Sequence, residues 1–111
     1  MVAGNSSLER EEVMDAIDDS LTVVRTLVER RAEAKAEFRI VVKIGIPRWV
    51  REGEEASCSL VTEGLFGKHP DIGGIDPLDA LRNAVNLAEK LLADAAKKRA
   101  LFWLNGEEYE P

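Results

Sequence analysis

The stretch SLTVVRTLVERRAEAKAEFRIVVKIGIP (20–47) decides the fold, because its first half fits two different secondary structures. Apolar residues recur at steps of three and four, the spacing of one continuous helix. They are Met14, Ile17, Leu21, Val24 and Val28. The same half is rich in β-branched residues, which lose side-chain freedom in a helix and pack well on a sheet. We favour a strand over residues 21–30, while a helix reaching to about residue 37 stays open.

The second half of this stretch is an unambiguous strand. Apolar residues alternate with others from Phe38 to Ile46, as on a strand with one buried face, which predicts a strand over 36–47. A third strand is predicted over 54–62, paired with the second through the turn RWVREGEE, where Gly53 can adopt a positive φ.

Helix signals lie on both sides of these strands. Ser6 and Glu9 have the spacing of a capping box, which predicts a first, acidic helix over 7–19. Residues 63–75 contain four glycines and a proline, which predicts a loop. Asp76 as N-cap and Pro77 at the first position then predict a long helix over 77–98. Its apolar stripe is Leu78, Leu81, Val85, Ala88, Leu92 and Ala95. A last strand is expected over 100–104, before the turn pair Asn105-Gly106.

These elements predict an α+β fold: an antiparallel sheet of about four strands, covered on one face by the helix 77–98, with an extra N-terminal acidic helix. The length of 111 residues suits a single domain, which we expect over 7–107. Residues 1–6 are expected to be disordered, and residues 108–111 to form an acidic tail.

The net charge of −6 is concentrated at the two ends. Residues 7–19 carry −5 and the tail from Glu107 carries −3, whereas residues 20–106 carry +2. Acidic ends repel phosphate backbones, so we expect no nucleic-acid partner, and they would attract a basic protein. Apolar runs are too short for a membrane span. A single cysteine, Cys58, and the acidic start favour a cytoplasmic protein.

Five segments together resemble a family of small bacterial domains of unknown function, family 6968. They are VRTLVER (24–30), VVKIGIPR (41–48), CSLVTEGL (58–65), GIDPLDALRNAV (74–85) and LFWLNGE (101–107). The resemblance implies a hairpin over 21–46, which strengthens the strand interpretation. It implies no activity, since the family is uncharacterised. The helix before residue 20 and the long connection ERRAEAKAE depart from its pattern.

The sequence contains few residues that could catalyse a reaction or bind a metal. The only histidine, His69, falls in the predicted loop, and Cys58 falls on the predicted buried face of a strand. A structural zinc ion is bound by four cysteine or histidine ligands, and the chain has two such residues. We therefore predict no enzyme, no metal and no cofactor.

Arginine and tryptophan dominate protein interfaces, so the predicted function is that of a protein-binding module. Its candidate partner-binding residues are Glu11, Glu12, Asp15, Asp18, Asp19, Arg48, Trp49 and Phe66. The most concrete version is an immunity protein that neutralises a basic toxin domain of an interbacterial secretion system, by analogy of size and charge. Two alternatives stay open. One is a small-molecule site between helix and sheet, with residues 63–70 at its opening. The other is a homodimer or larger homo-oligomer that pairs edge strands or first helices, as the apolar residues Val13, Met14 and Ile17 suggest.

Overall fold

The computed structural model describes residues 21–32 and 36–111, so the predicted helix 7–19 lies outside the described residues. Within those ranges the chain forms eight strands and one helix. The strands are β1 (Thr22–Arg30), β2 (Glu37–Ile44), β3 (Arg48–Arg51), β4 (Glu55–Cys58), β5 (Leu60–Glu63), β6 (Gly67–Lys68), β7 (Ile72–Gly74) and β8 (Ala100–Trp103), and the helix is α1 (Pro77–Ala96). In this part of the chain, no helix has both the length and the apolar character needed to cross a membrane.

The first two strands confirm the strand interpretation and exclude a helix over 22–30. β1 pairs antiparallel with β2, from Thr22 opposite Ile44 to Arg30 opposite Glu37. The register shifts between Val23 and Arg25, so the residue between them forms a β-bulge. Packing of β-branched side chains against the neighbouring strand therefore outweighs the helical spacing of the same residues.

All described strand pairs are antiparallel, and the α+β class with one helix over an antiparallel sheet is confirmed. The expected single sheet of four strands is wrong. A five-stranded sheet has the order β6-β5-β2-β1-β8, and a three-stranded sheet has the order β3-β4-β7. The expected strand 54–62 is interrupted at Ser59, and the expected loop 63–75 contributes two short strands.

The predicted turn RWVREGEE also differs from the structure. Its first half is β3, and the turn joins β3 to β4, with Gly53 at a φ of 79°. β2 pairs with β5 instead, Ile44 lying opposite Leu60. The chain leaves the first sheet after Gly45, whose N–H donates to the Ser59 carbonyl at 3.0 Å. Pro47 follows and has no N–H to continue the ladder, which explains why a new sheet begins at the next residue.

Helix α1 begins as predicted, since the Asp76 carboxylate accepts from the Asp79 N–H at 2.7 Å. It ends at Ala96, two residues before the expected end. Its buried residues are Ala80, Ala84, Ala88 and Leu92. The predicted stripe is therefore only partly buried, with Leu78 63% exposed and Val85 38% exposed. The row of alanines, facing β4 and β7, lets the helix approach the sheet more closely than leucines would.

The core contains side chains from both sheets and the helix, and it also contains a residue of the predicted acidic tail. Tyr109 is buried, its N–H donates to the Leu101 carbonyl at 2.9 Å, and its ring packs edge-to-face on Trp103 with centroids 5.1 Å apart. The chain reverses after β8 at Gly106, which has a φ of 94°. Residues 107–109 therefore fold back onto β8.

Candidate binding site

Strand β3 is the strand of the described structure in which every residue is exposed. It is an outer strand of the three-stranded sheet, and all four of its residues are exposed. Trp49 and Val50 leave 40% and 55% of their surfaces accessible, which is unusual for large apolar side chains on a strand. No carboxylate of the described residues pairs with Arg48, whereas Arg51 contacts Glu54 and Glu55. We call Arg48–Arg51 the β3 edge.

The predicted partner-binding residues are only partly accounted for. Arg48 and Trp49 lie together on the β3 edge. Phe66 lies elsewhere, in the turn between β5 and β6 of the other sheet, where its ring packs edge-to-face against His69 at 6.0 Å. The five acidic residues between 11 and 19 lie outside the described residues. Their role in binding stays a prediction.

A second candidate site is an apolar groove of about 380 Å³ between α1 and the end of the β1–β2 hairpin. We call it the helix–sheet groove. Its lining residues are Thr22, Val24, Arg25, Val42, Ile44, Gly45, Ile46, Pro47, Leu81, Val85, Ala88, Glu89 and Leu92. The predicted small-molecule pocket was placed at the 63–70 segment, no residue of which lines this groove. A separate cleft of about 270 Å³ lies at that segment, between Leu65 and Phe66 and the end of α1, and ligand binding there stays a prediction.

Arg25 is the lining residue that the sequence analysis did not identify. Its guanidinium carbon lies 5.2 Å from the Trp103 ring centre and 6.0 Å from that of Tyr109. One of its nitrogens also approaches the Tyr109 hydroxyl at 3.5 Å. An arginine in the middle of a β-branched strand was the available signal, but its aromatic partners are about 80 residues away along the chain.

His69 and Cys58 have structural surroundings. His69, predicted to lie in a loop, follows β6 and is half-buried, and its Nε2 lies 2.9 Å from the buried Thr62 hydroxyl. The Cys58 thiol is buried, as expected, and approaches the Gly45 carbonyl at 3.5 Å. Burial, with a smaller contribution from Asp71, raises the pKa of this thiol. Over residues 21–32 and 36–111, no three histidine, cysteine or acidic side chains converge as metal ligands would.

No family model, curated protein or solved structure matches the chain. The resemblance to family 6968 therefore stays a prediction.

Proposed function

We propose that this protein is a noncatalytic protein-binding module that docks a partner along the β3 edge. The observation that carries the proposal is an outer strand whose four residues are all exposed, two of them large and apolar. Exposed edge strands tend to pair with other chains, and most proteins protect them with charged side chains, prolines, bulges or a covering segment. An edge left open in this way is typical of domains that add a partner strand to their sheet.

The side chains of the β3 edge define the partner that would fit. Trp49 and Val50 supply apolar contact, and Trp49 is of the residue type most often found at the energetic centre of interfaces. Arg48, unpaired within the described part of the chain, would favour an acidic group on the partner strand. We infer a partner segment that is extended, apolar and locally acidic.

Neutralisation of a secreted toxin remains the most concrete version of this function. The described residues are close to neutral, with 13 basic and 14 acidic side chains, so the acidity expected to attract a basic toxin belongs mainly to residues 9–19. A toxin domain that is basic overall would therefore be attracted by the N-terminal segment and would pair its own strand with the β3 edge. Added salt would weaken the attraction of the N-terminal segment, whereas the backbone pairing and the apolar contacts at the β3 edge would depend little on salt.

A binding experiment tests the proposal. The purified C-terminal domain of a secreted multidomain protein encoded next to this gene is mixed with the full chain and passed over a sizing column, and the affinity is measured by calorimetry. We expect Trp49→Ala to weaken binding by about 2 kcal/mol, because truncating a central interface tryptophan removes a large apolar contact. Leu104→Ala, which removes a side chain that is 60% exposed in the turn after β8, is the control and should bind normally.

Amide hydrogen exchange of the complex locates the interface. Pairing with a partner strand would slow exchange of the β3 amides selectively. Equal loss of affinity in the Trp49 and Leu104 variants would contradict the proposed docking edge. Failure of the full chain to bind the products of both flanking genes would contradict toxin neutralisation.

A further inference from the structure

The helix–sheet groove has the size and the lining of a small-molecule site. Its volume of about 380 Å³ lies within the usual range of roughly 300–1,000 Å³ for ligand pockets. Val24 and Ile46 on the hairpin side and Val85 on the helix side remain 51%, 67% and 38% exposed, so three apolar side chains border the groove without covering one another. The β-bulge places Val24 and Arg25 together in the groove lining.

Arg25 lines this groove and also an adjoining cleft that contains Trp103 and Tyr109. The side chain is half-buried, and its guanidinium is held by cation–π contacts with Trp103 and Tyr109. Within residues 21–32 and 36–111, no carboxylate oxygen lies within 4.0 Å of its nitrogens. A partly desolvated guanidinium is stabilised by a carboxylate, which it can bind through two parallel hydrogen bonds.

Two acidic side chains lie near Arg25 without pairing with it. Glu89 lines both the groove and the adjoining cleft, and Glu110 lines that cleft only. Both side chains are exposed to water, which screens their repulsion of an anion. Because this repulsion is weak but not zero, removing the charge of Glu89 should strengthen binding of an anion in the groove slightly.

We propose that the helix–sheet groove binds a small carboxylic acid with an apolar body. The carboxylate pairs with Arg25, and the hydrocarbon part lies against Val24, Ile46 and Val85. This site does not depend on partner docking at the β3 edge, because Trp49 and Val50 do not line the groove. The two proposals can therefore fail separately.

Calorimetry with the full chain tests the site, with decanoate as the probe and decanol as its uncharged counterpart. We expect saturable binding of one decanoate per chain, with decanol at least about tenfold weaker because it lacks the charge-assisted hydrogen bonds. Arg25→Gln should weaken decanoate binding at least about tenfold, while Glu89→Gln should strengthen it. Arg30→Gln is the matched control, because Arg30 lies on the same strand, stacks on Phe102 and pairs with Glu37 outside the groove.

A second pair of variants tests the apolar wall. Val23 and Val24 are neighbours on β1 with nearly equal exposure, 53% and 51%, but only Val24 lines the groove. Val24→Glu should abolish decanoate binding, and Val23→Glu should leave it unchanged. Equal effects of the two substitutions would contradict the site.

Three further outcomes would overturn the proposal. Decanol binding as tightly as decanoate, or normal binding by Arg25→Gln, would remove the role of the guanidinium. Absence of saturable decanoate binding to the full chain would also overturn it. If decanoate then binds only after residues 1–20 are removed, the occupant of the groove is the chain's own N-terminal segment. If the full chain is a homodimer that Val24→Glu dissociates, the occupant is a second copy of the chain.

Discussion

At the scale of single residues, Cys58 shows how burial changes the chemistry of a side chain. The residue is 1% exposed on β4, and its thiol faces the Gly45 carbonyl at the point where the chain leaves the first sheet. Burial disfavours the thiolate and raises the pKa above its ordinary value of 9.0, and the charge of Asp71 acts in the same direction. A thiol of this kind is a poor nucleophile at neutral pH.

The raised pKa of Cys58 predicts a pH dependence of stability. Above about pH 9 the unfolded chain releases the thiol proton while the folded protein still holds it, so the free energy of unfolding falls as the pH rises. The fall is at most about 1.4 kcal/mol per pH unit, and it stops once the folded thiol also ionises. Urea denaturation of the native chain and of Cys58→Ala, from neutral pH to about pH 10.5, checks this prediction.

The Cys58→Ala variant supplies the control, because all other titrating groups are common to both chains. The difference in unfolding free energy between the two proteins should be constant below about pH 8 and should shrink above about pH 9. A difference that stays constant over the whole range would show that Cys58 titrates alike in the folded and unfolded states.

At the scale of elements, the packing of α1 on β4 and β7 differs most from the sequence-based prediction. The apolar spacing along the helix was correctly recognised, and Ala88 and Leu92 of the predicted stripe are buried. In the first half of the helix, however, Ala80 and Ala84 are buried, while Leu78 and Val85 stay exposed. The reason lies in β7. A Cβ atom on Gly74 would come within 2.7 Å of the Ala80 Cα, so helix and strand are in backbone contact there. Only small side chains fit between elements at this distance.

This close contact predicts that alanine substitutions at the neighbouring residues Gly74 and Gly73 differ sharply in their effect on stability. Gly74→Ala should reduce the free energy of unfolding by about 3 kcal/mol, because the added methyl group pushes the helix away from β7. Gly73→Ala is the matched control, since its Cβ would meet nothing nearer than the Ala56 carbonyl oxygen at 4.0 Å. It should change stability by less than about 0.5 kcal/mol. Thermal and urea denaturation compare the two, and similar losses in both variants would contradict the close contact.

At the scale of the whole molecule, residues near the two ends of the described chain are in contact with one another. Tyr109 returns after β8 to pack on Trp103 and to reach Arg25 on β1. Near the end of β1, the buried carboxylate of Glu29 is paired with Arg31 at 3.2 Å and with Arg99, after the end of α1, at 3.4 Å. The strand is therefore joined to the C-terminal part of the fold at Arg25, in its middle, and at Glu29, near its end.

Truncation of the Tyr109 side chain should therefore destabilise the entire domain. We expect Tyr109→Ala to lower the free energy of unfolding by about 3 kcal/mol, because the ring is buried against Trp103. Tyr109→Phe keeps the ring and loses only the long contact of the hydroxyl with Arg25, so its cost should stay below about 1 kcal/mol. Urea denaturation followed by circular dichroism measures both. A Tyr109→Ala variant as stable as the native chain would place residues 107–111 outside the cooperative unit.

The sequence by itself determined the local structure: the strand alternation from residue 38 to 44, the helix start at Asp76 and Pro77, and the α+β class that they imply. The alternation continues in the sequence to Ile46, but the strand ends at Ile44 and Ile46 is exposed. These features depend on residues a few positions apart, whose backbone preferences act independently of the rest of the chain. The candidate site was predictable only at Arg48 and Trp49, because an arginine and a tryptophan beyond a proline stand out locally. Only the tertiary structure decided that β2 pairs with β5, that α1 buries its alanines and that Arg25 lines an apolar groove. Each of these depends on contacts between residues far apart in sequence, and their energies are set by the packing of the assembled chain.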